Sequence, residues 1–180
     1  MAISRNLHKD KHGAVFGLAG WSGSGKTTLV EKVVSYFVEF GYDIATIKHA
    51  HHQFDADTPG KDSFRHRQAG SRQVLVSSAK RSALFTEHLE NHEPDLPDLL
   101  GQLAPADLVL VEGFKKYPIE KIEVFRPSVG KPCLYLQDDL VMAVATDAKL
   151  DDCPLPLFDL SDIAAIANFI IVQTKMKQAC

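Results

Sequence analysis

Apolar positions along the chain change their period several times, and each change marks an element. Residues 14–19 form an unbroken run, Ala-Val-Phe-Gly-Leu-Ala, of the kind shown by a strand buried on both faces. Leu29, Val30, Val33, Val34, Phe37 and Val38 then recur at helical spacing over 27–40, and Gly41 stands where such a helix ends. Residues 42–48 read as the next strand, so the amino-terminal part predicts a βαβ unit. A polar, His-rich loop over 49–60 precedes a short helix at 62–69, closed by Gly70, and strands around 73–76 and 82–85 with a basic turn between them. An amphipathic helix over 94–103, carrying Leu96, Leu99, Leu100 and Leu103, leads into Leu108, Val109, Leu110 and Val111. Those four consecutive apolar residues predict a second doubly buried strand, with Glu112 at its carboxyl end, where ligands of open parallel sheets collect. Further strands are predicted at 121–125, 133–136 and 141–145. Ser161 is the expected cap of a last helix over 162–172, with Ile163, Ile166, Ala167 and Ile170 on its inner face. The alternation predicts an α/β fold with a mainly parallel sheet flanked by helices, and additional antiparallel strands in the carboxyl-terminal half.

Between the first strand and the first helix lies Gly20-Trp21-Ser22-Gly23-Ser24-Gly25-Lys26-Thr27, a complete G-x-x-x-x-G-K-[ST] phosphate-binding loop. Its glycines let successive N–H groups point at phosphate oxygens, Lys26 adds a mobile cation, and the Thr27 hydroxyl is placed to hold Mg²⁺. The bare pattern arises by chance in roughly 1% of chains this long. Strand, turn and helix in that order are the context the motif requires, because the helix dipole faces the anion. The loop predicts nucleotide binding and makes the sheet P-loop NTPase-type.

Composition narrows the picture mainly by exclusion. The chain has 180 residues, enough for one independent core, and we read residues 13–180 as one nucleotide-binding domain behind a disordered tail over 1–12. A net charge of −3 with scattered basic residues gives no drive toward nucleic acid. No run approaches the ~20 apolar residues of a membrane span and the first residues lack a signal-peptide pattern, so a cytoplasmic protein is expected. Cys133, Cys153 and Cys180 are odd in number and far apart, suggesting neither a disulfide framework nor a thiolate zinc site.

Several segments together resemble the MobB family of molybdopterin guanine dinucleotide biosynthesis. They are the loop from Gly20 to Thr28, Ile47-Lys48-His49 with His51-His52, Asp57-Thr58-Pro59-Gly60-Lys61-Asp62-Ser63, Ala69-Gly70, Val111-Glu112-Gly113-Phe114-Lys115, and Ala143-Val144-Ala145-Thr146-Asp147. The Pro-Gly-Lys-Asp-Ser and Val-Glu-Gly-Phe-Lys elements are the specific ones, since phosphate loops are widely shared. The resemblance implies a homodimeric GTP-binding accessory of a MobA-type nucleotidyltransferase that attaches GMP to molybdopterin, with molybdopterin at the shared interface and slow GTP hydrolysis at most.

Beside that likeness, roles can be assigned to residues. Gly20, Ser22, Gly23, Ser24, Gly25, Lys26, Thr27 and Thr28 are the phosphate-binding set. Glu112 is the Walker-B-like acid, completing the outer coordination of the Mg²⁺ that Thr27 binds or orienting a water; a turn cap is its bland alternative. Asp57 and Asp62 flank a Pro-Gly turn suited to closing over the γ-phosphate, Asp57 as a metal ligand, Asp62 as a catalytic acid and Lys61 as an added charge; an ordinary surface turn is the competing reading. Asp147, just past a strand, is a candidate acceptor for guanine N1 and N2, with a plain turn aspartate as the alternative. Ser78-Ala79-Lys80 imitates a guanine-reading motif but precedes the Glu112 strand, the wrong order. His49, His51 and His52 raise a metal-site alternative, although three imidazoles without a fourth ligand make a poor closed site, and an anion-binding loop helped by Lys48 is preferred. Trp21 is expected to pack over the nucleotide or a dimer surface. Two other function classes stay open: a P-loop small-molecule kinase and a P-loop metallochaperone.

Overall fold

The computed structural model describes residues 11–50, 54–88 and 93–176. The chain divides into two compact units, Met1–His49 with Leu96–Cys180, and Ala50–Asp95. In chain order the elements are β1 (Val15–Ala19), α1 (Lys26–Glu39), β2 (Ile44–Lys48), α2 (Asp62–Gln68), β3 (Gln73–Ser77), β4 (Ser82–Thr86) and α3 (Leu96–Gln102). There follow β5 (Leu108–Glu112), β6 (Lys121–Phe125), a 3₁₀ turn at Pro127–Val129, β7 (Val141–Thr146), β8 (Leu157–Asp159) and α4 (Ile163–Thr174).

The larger unit is built on one sheet in the order β2-β5-β1-β6-β7-β8. Every pairing in it is parallel. Side chains alternate across a strand, so the continuous apolar run of β5 serves two cores. Leu108 and Leu110 join Phe16, Leu18, Leu29, Val33, Phe37, Ile166 and Ile170 on the face covered by α1 and α4. Val109 and Val111 join Ile47, Leu96 and Leu100 on the face covered by α3. Each fully buried Leu, Ile or Phe in these layers contributes about 1.5–3 kcal/mol. The first helix ends as its sequence predicts: Gly41 N–H donates to the Val38 carbonyl and Tyr42 N–H to the Phe37 carbonyl, both at 3.0 Å. The Tyr42 ring meets Phe37 edge-on, 5.4 Å between centroids, the apolar contact that accompanies this cap.

Four expectations are corrected. The antiparallel strands do not lie in the carboxyl-terminal half; they are β3 and β4, whose tight turn permits only an antiparallel return, whereas β6, β7 and β8 run parallel across longer connections. Residues 133–136 form no strand, because the Leu134 and Tyr135 N–H groups go to the Glu123 carboxylate at 2.7 and 3.0 Å and not to a neighbouring strand. Ser161 does not cap α4. Its hydroxyl donates to Asp159, and Asp162 is the cap, accepting from the Ala165 N–H at 3.0 Å. His12, expected in the tail, is 2% exposed with Nε2 3.0 Å from the Leu100 carbonyl, while residues 1–10 lie outside the described residues.

Two charged residues of β6 are buried in the sheet. Lys121 Nζ donates to the Lys115 and Tyr117 carbonyls and to Asp138. Burial pushes the Glu123 carboxyl up, partly opposed by the Leu134 and Tyr135 N–H groups. Cys133 and Cys153 are free thiols, and Cys180 lies outside the described residues.

In the smaller unit β3 and β4 form a hairpin running from Gln73↔Thr86 to Ser77↔Ser82. Ser78-Ala79-Lys80 is the turn of this hairpin, closed by Ser78 N–H to the Arg81 carbonyl at 2.9 Å. Val74 is buried, whereas Leu75, Val76 and Leu84 are exposed.

Candidate functional site

The chain leaves β1 at Ala19 and turns through residues 20–25 into α1. At Gly20 a side chain has no room, since a Cβ would stand 2.4 Å from the Val124 carbonyl oxygen of β6. The loop is held by Ser24 N–H donating to the Trp21 carbonyl at 3.2 Å, and Lys26 Nζ reaches back to the same carbonyl at 2.7 Å. No side chain caps the start of α1 and no acid stands in its first turn, which leaves its N–H groups and dipole directed at the loop. Ser22, Gly23, Thr27 and Thr28 are exposed there. Desolvation lowers the Lys26 ammonium below the ordinary lysine range; Glu112 opposes this, and the nearby charges of Lys115 and Lys48 reinforce it.

Thr27, from the first turn of α1, meets Glu112, from the tip of β5. The hydroxyl donates to Glu112 Oε1 at 2.7 Å. Lys48, at the tip of β2 and in register with Glu112, places Nζ 3.1 Å from Thr27 Oγ1 and 3.2 and 3.3 Å from the two carboxylate oxygens. The parallel ladder that pairs β2 with β5 and β5 with β1 therefore brings three functional side chains to one point. Both oxygens are the hard donors that Mg²⁺ takes, and their separation is near the roughly 2.9 Å between adjacent ligands of an octahedral ion with 2.0–2.1 Å bonds. These residues fit Mg²⁺.

After Glu112 the backbone turns sharply. Gly113 has φ 94° and a Cβ there would lie 2.9 Å from His49 Cβ; Phe114 follows at φ 48°, a left-handed conformation that costs a non-glycine residue about 1–2 kcal/mol. The turn stacks Phe114 against the His49 ring, 4.7 Å between centroids, and carries Lys115 over the Trp21 indole at 4.2 Å. Lys131 approaches the same ring at 6.0 Å, and the indole N–H donates to the Pro132 carbonyl. Trp21 is thus a platform for lysines beside the loop.

Next to Gly25, Thr28 and Leu29 opens a pocket of about 260 Å³, also lined by Arg126, Asp147, Asp159, Leu160 and Ser161. Arg126 donates from Nε to the Ser24 carbonyl at 3.1 Å and from Nη1 to Asp147, tying that carboxylate to the phosphate loop. Bonds from the Ser161 hydroxyl and N–H hold Asp159 below the usual carboxylate range. The sequence alone does not single out Arg126 and Asp159. Each stands at the carboxyl end of a parallel strand, the one signal that would have flagged them.

The remaining candidates belong to the smaller unit. Asp57 accepts from the Ser63 hydroxyl at 2.8 Å, the Thr58 N–H at 2.9 Å and Arg67 Nε at 3.1 Å. Arg67 also binds Asp55 at 2.8 and 2.9 Å and Glu87 at 2.7 Å, and lies against the Phe64 and Phe85 rings. Burial works against a charged Asp57, but Ser63, Thr58 and Arg67 outweigh it and hold the carboxyl low. Lys61 is exposed at the cap position of α2, and Asp62 lies in its first turn, where an acid suits the dipole. His51 and His52 lie outside the described residues, and among the described residues no group of three or more His, Cys, Asp or Glu is arranged to hold a metal ion.

A family model described as Molybdopterin guanine dinucleotide synthesis protein B matches residues 15–147. The chain is 41% identical over 160 residues to the molybdopterin-guanine dinucleotide biosynthesis adapter protein of Escherichia coli K12, covering 87% of this chain and 91% of that protein. It is 42% identical over 159 residues to the protein of the same description from Haemophilus influenzae, covering 87% and 86%. Among solved structures, Bacillus subtilis MobB superposes with TM-score 0.70 at 27% identity, covering 91% of this chain and 98% of that one. A further crystal structure, of molybdopterin-guanine biosynthesis protein B, superposes with TM-score 0.69 at 26% identity, covering 88% and 99%.

Proposed function

The chain belongs to the MobB family, the adapter proteins of molybdopterin guanine dinucleotide biosynthesis, and we propose that in this role it binds GTP with Mg²⁺ and assists a MobA-type guanylyltransferase. One observation carries the reading: the Thr27 hydroxyl and the Glu112 carboxylate meet 2.7 Å apart beside Lys26 and the open start of α1. The loop amides, Lys26 and the helix dipole bind phosphates; Thr27 and Glu112 hold the metal. When bound, Mg²⁺ neutralises phosphate charge and fixes the orientation of the phosphates. Glu112 is also the group that orients a water, in keeping with slow hydrolysis at most.

Asp147 reads the guanine edge from the pocket beside Gly25. Its support is position: Arg126 fixes the carboxylate against the loop, and Asp159 and Ser161 add polar groups across the same cavity. Asp57, Lys61 and Asp62 remain candidates for contact with the γ-phosphate and its metal, although the bonds that Asp57 makes favour a structural task.

A cytoplasmic setting accords with a described chain in which no helix is long and apolar enough to cross a membrane. The protein acts as a homodimer, with molybdopterin bound where it meets its partner enzyme. The exposed Leu75, Val76 and Leu84 of the β3–β4 hairpin support the dimer. The test is capture of a MobA-type guanylyltransferase by the full chain. GTP-dependent capture that Lys26→Ala abolishes supports the proposal, and capture indifferent to both contradicts it.

A further inference from the structure

We propose that Lys48 is a tethered cation that competes with a divalent metal ion for Thr27 and Glu112, an inference that rests on reading those two residues as the metal site. The ladder between β2 and β5 sets Lys48 opposite Glu112, so the ammonium reaches the carboxylate from a strand and not from a wandering loop. Its Nζ bonds both Glu112 oxygens and Thr27 Oγ1 at 3.1–3.3 Å, and these are the oxygens a metal would take. A metal ion on these oxygens would stand close to the ammonium, and the two positive charges repel, so Lys48 weakens metal binding as long as it stays and swings away as the metal enters.

Lys48 is the one built to move. Its side chain is 58% exposed on a flexible four-carbon stem, whereas that of Glu112 is 11% exposed and fixed by the strand. The lysine balances a nearly covered carboxylate and so raises the threshold for metal entry. Metal is then retained best when phosphate oxygens add ligands, which couples the metal to the nucleotide. In the sequence Lys48 is a general charge beside the His-rich loop; its position in the ladder gives it this narrower task.

Mn²⁺ titrated into the full-length protein, with the free ion followed by its paramagnetic resonance signal, tests the idea without reference to activity. In the absence of nucleotide, Lys48→Met and Lys48→Gln are expected to bind Mn²⁺ about two- to fivefold more tightly than wild type, the scale of an exposed ion pair. Lys48→Arg, which keeps the charge, should not gain, and Glu112→Gln should erase the difference. Equal or weaker Mn²⁺ binding by both uncharged variants, or no measurable binding by any of the chains, would overturn the proposal. Adding GTP is a separate axis: if it fails to tighten Mn²⁺ binding in wild type, the nucleotide reading fails while the Lys48 comparison stands.

Discussion

The tips of β2 and β5 in the larger unit and the α2 region of the smaller one each set a cation on carboxylates, yet the two are built to different ends. At the strand tips Lys48 is mostly exposed, holds one acid and one hydroxyl, and stands beside a phosphate loop. In the smaller unit the Arg67 side chain is 11% exposed, bonds Asp55, Asp57 and Glu87 together, and is flanked by two aromatic rings. Charge alone therefore does not mark a ligand site; what marks it is a cation free to leave and hard oxygens left behind when it does. A guanidinium with every direction engaged is a fastener.

The sharpest way to break this contrast is Lys26→Ala. Loss of one charge-assisted phosphate contact should weaken GTP binding about 10- to 150-fold with the fold intact, measured by calorimetry. Next comes Glu112→Gln, which should cost roughly tenfold in GTP affinity with Mg²⁺ present and clearly less in its absence, since the charge matters to the metal-bearing complex. An equal effect in both conditions would make Glu112 structural. Arg67→Met addresses the other side: limited proteolysis within residues 54–88 should accelerate while the Mg²⁺ dependence of GTP binding stays as in wild type. Asp57→Asn should behave in the same way, and a loss of Mg²⁺ dependence there would instead restore Asp57 as a metal ligand.

Acid separates the two units more gently. Arg67 bonds hold Asp55 low, and the Ser63, Thr58 and Arg67 bonds overcome burial to hold Asp57 low. Their stabilisation is present above the unfolded carboxylate value of about 3.9 and is lost as pH falls through the depressed folded values. Burial raises Glu123, so the folded state binds a proton more readily than the unfolded one. That group favours folding fully below the unfolded value of about 4.3, and the benefit is lost as pH rises through the raised folded value. Relative to Glu123→Gln, wild type should gain stability as pH falls through the raised Glu123 value toward about 4.3, as read by denaturant unfolding at closely spaced pH values from 7 downward.

How much of this the chain declares in advance follows from what each feature depends on. β1, the phosphate loop, α1 and β5 are legible because local period, turn residues and burial on both faces agree. β8 is only three residues long, too short to declare a period, and follows Pro154 and Pro156. Residues 133–136 have strand composition, but the buried Glu123 claims their N–H groups, and that acid is distant in sequence. Arg126, and the partners of Lys48, are opaque for a related reason: both residues gain their contacts only when the parallel sheet aligns strand tips.

The central claim, that this loop and its acid form a GTP–Mg²⁺ site, meets its most direct test in thermal unfolding with GTP or ATP at matched concentration in the presence of Mg²⁺. At 100 times its dissociation constant GTP adds about 2.7 kcal/mol to the folded state, which should raise the melting temperature by about 5–10 °C for a domain of this size. ATP should raise it clearly less, and Asp147→Asn should narrow the gap between the two by roughly two- to tenfold in relative affinity, the scale of one hydrogen bond. Equal protection by ATP would contradict the guanine reading, and no protection by either nucleotide would contradict the site itself.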